Sequence, residues 1–477
     1  MSRNIWIRKK RFIFVVCIMI AIIFGAITLS NSNKNVDSVV QETGNLQAEN
    51  ATPPNAPPAV TQTSDIPGFV PKPSLNGSKA SYDLSLKMTD DHSFIAIANI
   101  TATNVSSDSW DKLELYMIPN LGGDLKMGEV LLDDRPVHYS LDKAALTVKL
   151  PEKLPPSATT HLKISYRIKN YSYFSNDGDT YVLAQWYPML ATYRGGWNLN
   201  YNANSEFADT DFSDFTLNYS LFSGYHLVSS SPSDADGDGS SGQLKADHIL
   251  EMFVVVTKGM KSESKLVGDT NIRVWGYKLP QSTSDTIKQT AGDLLSFMNE
   301  HVGPYPYKQL DIVTGQHFGN IEHPGAVTIG LVRPEHLKQR VVHELIHQWF
   351  YGMVADDPYY DGWLDEGITE FATSSYLKQD SYLLHYLNLK GKPSNLPLDE
   401  YAENEFINSL YVIPNYKLSQ YFDQTPDDKT GFKFLHSYFE KYKFSHVTTP
   451  EFVRFMKAYF RMKDNSFFQS WIVNESR

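Results

Sequence analysis

A chain of 477 residues, 42% hydrophobic and 13% aromatic, has room for two or three domains that each bury a core. That composition excludes disorder over most of the length, and a formal net charge of −11 gives little attraction for nucleic acid or an anionic lipid surface. The single cysteine, Cys17, excludes an intramolecular disulfide and cysteine ligation of a metal outside the first segment.

The chain opens with Arg3, Arg8, Lys9, Lys10 and Arg11, followed by an apolar run from Phe12 to Ser30. As a helix that run approaches the roughly 30 Å of a bilayer's hydrocarbon core, and its basic flank favours the cytoplasmic side. Residues 1–30 are therefore expected to form a single-pass signal-anchor in the cell membrane, with the remainder outside the cytoplasm. Secretion after signal cleavage is the alternative. Residues 31–79 are rich in Asn, Gln, Pro, Ser and Thr, including Pro53-Pro54-Asn55-Ala56-Pro57-Pro58. They carry too little apolar surface to offset their conformational entropy, which predicts a disordered tether.

From residue 80 the pattern becomes strand-like. Apolar residues alternate or cluster in Tyr82 to Leu86, Phe94 to Thr101, Lys112 to Met117, Ala145 to Leu150, His161 to Ile168, Phe215 to Phe222 and Ile249 to Val256, between turn-rich breaks. Residues 80–266 are expected to form an all-β, sandwich-like domain. Within it, Asp234-Ala235-Asp236-Gly237-Asp238-Gly239 resembles the start of a calcium loop. Lys245 stands where the bidentate glutamate would be, so an acidic hairpin turn is the better reading.

After residue 267 the character is mixed. Strands at Ile272 to Tyr277 and Leu310 to Thr314 bracket a helical pattern from Ser284 to Glu300. A second helical pattern runs from Leu337 to Phe350, with Pro334 and Glu335 suited to its start. Its apolar residues cover most of the helix, and His343, Glu344 and His347 share the remaining window with Arg340. Two histidines four apart reach one ion from neighbouring turns. A third ligand is available in Glu366, nineteen residues beyond His347, in Trp363-Leu364-Asp365-Glu366-Gly367. Three protein ligands leave a fourth position for water, the arrangement of a catalytic zinc site.

These residues resemble the aminopeptidase-N family of gluzincin zinc metallopeptidases, whose pattern is His-Glu-x-x-His, eighteen residues, then Glu. The resemblance extends to Gly319-Asn320-Ile321-Glu322-His323, to Gly303-Pro304-Tyr305-Pro306-Tyr307, and to Gln185-Trp186-Tyr187-Pro188. It implies a thermolysin-like α+β catalytic domain over residues 267–477 and one Zn2+ held by His343, His347 and Glu366. Glu344 would be the general base, and Glu322, with Gly319 and Gln185, would bind the substrate's amino terminus.

Two departures qualify that likeness. Tyr187 stands where many members carry a second acid for the amine, and no Tyr-x-Lys-Gly tetrapeptide marks the oxyanion-stabilising tyrosine. Counting back from Tyr438-Phe439 and Thr448-Thr449-Pro450-Glu451-Phe452 selects Tyr411, with Tyr416 as runner-up. The expected function is removal of amino-terminal residues from peptides by a membrane-anchored member without the long helical carboxy-terminal domain of many relatives. An endopeptidase or oligopeptide hydrolase with loose amino-terminal recognition is the alternative, and a catalytically impaired peptide-binding or sensing protein on the same scaffold is a further one.

Overall fold

The computed structural model describes residues 66–473, apart from 124, 170–178, 202–207, 233–238, 332, 380–390 and 424–429. The expected anchor, most of the expected tether and the acidic turn at 234–238 lie outside the described residues. Among the described residues no helix is long and apolar enough to cross a membrane.

The first half is all β. A seven-stranded sheet runs in the order Ser241–Ile249, Ser213–Ser220, Ser78–Met88, Phe94–Asn104, Thr159–Ile168, Leu125–Leu132, Arg135–Pro136. Its strands alternate buried and open residues, so one face is apolar: Leu84, Leu86, Ala96, Ala98, Ile100, Leu162 and Ile164 all point into one core. Leu113, Leu115, Leu146 and Val148 of a four-stranded sheet close that core from the other side. The result is a sandwich. Ser78–Met88 pairs in parallel with Ser213–Ser220, a long-range crossover that alternation in sequence cannot announce.

Two expectations are corrected here. The apolar run Ile249 to Val256 is not one strand: Ile249 ends a strand of the seven-stranded sheet, and Val254 starts one in a separate three-stranded sheet. In the break the Met252 carbonyl accepts from Trp186 Nε1 at 2.9 Å, while the Met252 and Phe253 amides donate to Tyr187 Oη and Ser230 Oγ, each at 3.1 Å. Side chains thus satisfy a buried backbone that a ladder would otherwise serve. The second correction concerns the last residues of the expected tether, from Ile66 onwards, which are docked. The Phe69 ring meets Phe455 edge-on at 5.6 Å, Arg454 lies 4.1 Å over the Phe69 ring, and the Lys72 amide donates to Glu451 Oε1 at 2.7 Å. A few well-placed apolar and charged contacts order a stretch whose composition reads as solvated.

The second half is mixed α and β. A five-stranded sheet runs Lys261–Val267, Thr270–Gly276, Gln309–Gly315, Ala326–Gly330, Ile321–His323. The first pair is a hairpin, so this sheet begins a little before the change of character anticipated at residue 267. Its central strands pair in parallel, and Ile321–His323 is antiparallel at the edge. The helix Gln281–His301 buries Ile287, Leu294 and Met298 against the same core as Val341, Val342, Leu345 and Ile346 of the helix Pro334–Ile346. At the junction of the two halves Arg194 pairs with Asp209 and reaches Asp357 at 3.4 Å. Burial and the neighbouring Asp209 push the Asp357 carboxyl up to about 8, against the pull of Arg194.

Candidate metal centre

Pro334 at the first helical turn and Glu335 beside it start the motif helix as expected. The regular helix is shorter than the expected span to Phe350 and ends at Ile346, with His347 still in helical conformation at its cap. The chain then turns sharply, with Gly352 N–H donating to the His347 carbonyl at 2.8 Å and Tyr351 at φ +122°. Trp349 and Phe350 stay buried through this turn. Burial and hydrophobic periodicity therefore continue past the point where helical hydrogen bonding stops.

The helix Trp363–Leu377 brings Glu366 to the two histidines. Glu366 Oε2 lies 3.4 Å from both His343 Nε2 and His347 Nε2, and the two nitrogens are 3.2 Å apart. All three residues are buried, and Glu366 Oε2 accepts no hydrogen bond. Two imidazole nitrogens and a carboxylate oxygen converging on one point fit a zinc ion. Behind them His347 Nδ1 is hydrogen-bonded to Asp365 and lies 3.3 Å from Thr369 Oγ1. A proton held at Nδ1 leaves the Nε2 lone pair free for a metal. Asp365 and Thr369 stand four apart on one face of the helix Trp363–Leu377, a spacing that is visible in the sequence.

Electrostatics follow from burial. Burial pushes the Glu344 carboxyl up to about 7, moderated by the nearby charges of His343 and His347. Burial also opposes ionisation of Glu366, but its contacts with His343 and His347 outweigh that and hold it near 2. The triad is thus anionic at Glu366, and the Glu344 carboxyl titrates near neutral pH.

Tyr411 reaches the site by an irregular route. Residues Asn408–Val412 form a π-helical turn between the helices Glu403–Ile407 and Ile413–Phe422. A Cβ on Gly367 would collide with Pro414 and approach the Leu410 carbonyl to 3.0 Å, so this glycine permits the close crossing of the two segments. The Tyr411 hydroxyl then donates to Glu366 Oε1 at 2.5 Å, and its ring lies 6.4 Å from that of His343. Tyr416 is half-buried on the following helix, with Lys417 6.0 Å over its ring.

Glu322 is buried on the edge strand, its Oε1 3.9 Å from His347 Nδ1. Gly319, also buried, precedes that strand, and its carbonyl accepts from Thr328 Oγ1 at 3.1 Å. Gln185 is buried in the β half with a left-handed backbone, φ +49°. Tyr187 belongs to the sandwich core: its ring packs 5.3 Å from Tyr82 and 5.6 Å from Phe215. The edge strand meets the β half through His323, which stacks on Phe253 at 3.8 Å and places Nδ1 3.2 Å from Glu251 Oε1. Neither Glu251 nor Phe253 was legible as part of this region, because both come from the break between two strands.

Residues 287–471 match the Peptidase family M1 domain. Among curated relatives, the chain is 26% identical over 204 residues to Protein TMA108 of Saccharomyces cerevisiae, covering 36% of this chain and 21% of that protein. It is 24% identical over 221 residues to aminopeptidase B of Mus musculus (39% and 33%) and 29% identical over 171 residues to aminopeptidase N of Bos taurus (31% and 17%). The chain thus spans a third or less of the length of these relatives. The fold is similar to that of an M1 zinc metallopeptidase from Deinococcus radiodurans, with TM-score 0.64 at 16% identity, covering 85% of this chain and 96% of that one. The matched domain over residues 287–471 and the similar fold make this chain similar to M1 zinc metallopeptidases, with aminopeptidases B and N among the relatives of that segment.

Proposed function

We propose that the chain is a zinc-dependent aminopeptidase that removes amino-terminal residues from peptides. The observation that carries this reading is Glu322, a buried carboxylate on the edge strand beside the His343–His347–Glu366 triad. A fixed carboxylate there would hold a protonated α-amine by a charge-assisted hydrogen bond, so that the first peptide bond lies at the metal. Zinc held by the triad supplies Lewis-acid chemistry, acidifying water and polarising a carbonyl. Glu344 takes the proton of the attacking water and passes it to the leaving amine. The Tyr411 hydroxyl, already within the site, donates to the oxyanion that develops on the scissile carbonyl.

The place of Tyr187 in the sandwich core favours a second reading, a peptidase with looser amino-terminal recognition, because it leaves Glu322 without the second acid of the family pattern. One peptide assayed with free and acetylated amino terminus, with and without a chelator, separates the readings. Cleavage of the free peptide alone, abolished by the chelator, is expected; equal cleavage of both forms would favour the second reading. The basic cluster and apolar run at Phe12 to Ser30 further support a single-pass membrane anchor with the peptidase outside the cytoplasm. Protease digestion of intact cells is expected to remove the peptidase domain.

A further inference from the structure

We infer that Gln348, the residue after the second histidine ligand, is a positioning residue that sets where the substrate's amine is held. Its side-chain amide is fully buried and grips the edge strand by both ends: Gln348 Nε2 donates to the His323 carbonyl at 2.9 Å, and Gln348 Oε1 accepts from the Gly325 amide at 2.8 Å. These two groups flank Pro324, which has no amide of its own, and they follow Glu322 directly.

A strand three residues long at the edge of a sheet has a ladder on one side only. Gln348 supplies main-chain partners just beyond it from the turn that carries His347. Beyond its ladder with Ala326–Gly330, this segment also meets the β half. His323 stacks on Phe253 and faces Glu251, and a Cβ on Gly325, at φ +75°, would come within 3.0 Å of the Ser230 carbonyl. The segment carrying Glu322 is thereby held between the two halves, and Gln348 is its direct tie to the metal-binding turn. Gln348 thus ties the segment carrying the amine anchor to the turn that carries His347, alongside the strand ladder and the contacts from the β half.

This inference rests on the aminopeptidase reading, and its test separates the two. In Gln348→Met, which keeps length and loses both bonds, zinc content is expected to stay at one per chain. KM for a free-amine peptide should rise on the order of tenfold, with a smaller change in kcat. The preference for the free over the acetylated peptide should shrink by a similar factor. Gln348→Glu, which keeps an acceptor for the Gly325 amide but sets a carboxylate oxygen against the His323 carbonyl, should show the same split and covers the case in which the methionine variant does not fold. Loss of zinc, or a fall in kcat with KM and the free-over-acetylated preference unchanged in the folded variants, would overturn the inference. A wild-type protein that cleaves the acetylated peptide equally well would overturn the aminopeptidase reading itself.

Discussion

Two buried clusters of charge lie within the same half of the molecule, and they are finished differently. Arg273 and Asp311, both fully buried on neighbouring strands, form a bidentate pair with two 2.7 Å bonds. Trp275 Nε1 and Gln309 Nε2 donate to the remaining lone pairs of Asp311 at 2.7 and 2.9 Å. At the metal centre His343, His347 and Glu366 are also buried, yet Glu366 Oε2 accepts nothing. A buried charge is tolerable when every polar atom has a partner. The first cluster completes its set from the protein and is structural; the second leaves its set open toward one point and is a site for a cation.

That contrast can be broken experimentally. The largest effect is expected from Glu344→Gln, which removes the proton acceptor without touching a ligand. Turnover should fall on the order of 10³-fold or more while zinc content stays at one per chain. Substantial activity in that variant would remove Glu344 from the chemistry. Arg273→Met strands the Asp311 carboxylate and should cost about 3–5 kcal/mol in urea unfolding, with zinc stoichiometry unchanged in the folded fraction. A variant of unaltered stability would show that the finished cluster is not structural.

Tyr411→Phe removes one donor to the developing oxyanion, and kcat is expected to drop on the order of 10²-fold with little change in KM. The corresponding change at Tyr416 should leave kcat near wild type, and the reverse ranking would reassign the role. The smallest effect concerns pH. Glu344 acts as a base only when ionised, so kcat/KM should rise with pH along an acid limb. Burial sets that carboxyl near 7 in the metal-free protein, and a bound cation lowers it, so the limb should lie below 7 in the zinc-loaded enzyme. A flat profile across that range would separate the limb from Glu344.

The convergence of His343, His347 and Glu366 was legible because a metal site demands a spacing: two imidazoles four apart on a helix, and a glutamate in its own helical segment beyond them. Tyr411 was reachable only by counting from later landmarks, since the π-helical turn that aims it leaves no periodic trace. Glu251, Phe253 and Ser230 were invisible as neighbours of the edge strand. They lie in the β half, around a break that a mostly apolar run conceals.

By itself the sequence determined the local facts: which residues are apolar at strand or helix period, which side chains can ligate a metal, and that Glu322 and Glu344 are acids in the right company. Local patterns carry these because they depend on periodicities of two and 3.6 residues and on side-chain chemistry alone. Only the tertiary structure decided what meets across long separations. Examples are the clamp of Gln348 on the strand of Glu322, the docking of residues from Ile66 onwards on the helix Thr449–Phe460, and the crossing at Gly367 that brings Tyr411 to Glu366. Such contacts arise from close packing of elements distant in the chain, where a single missing Cβ or one amide sets the approach, and no short window of sequence contains both partners.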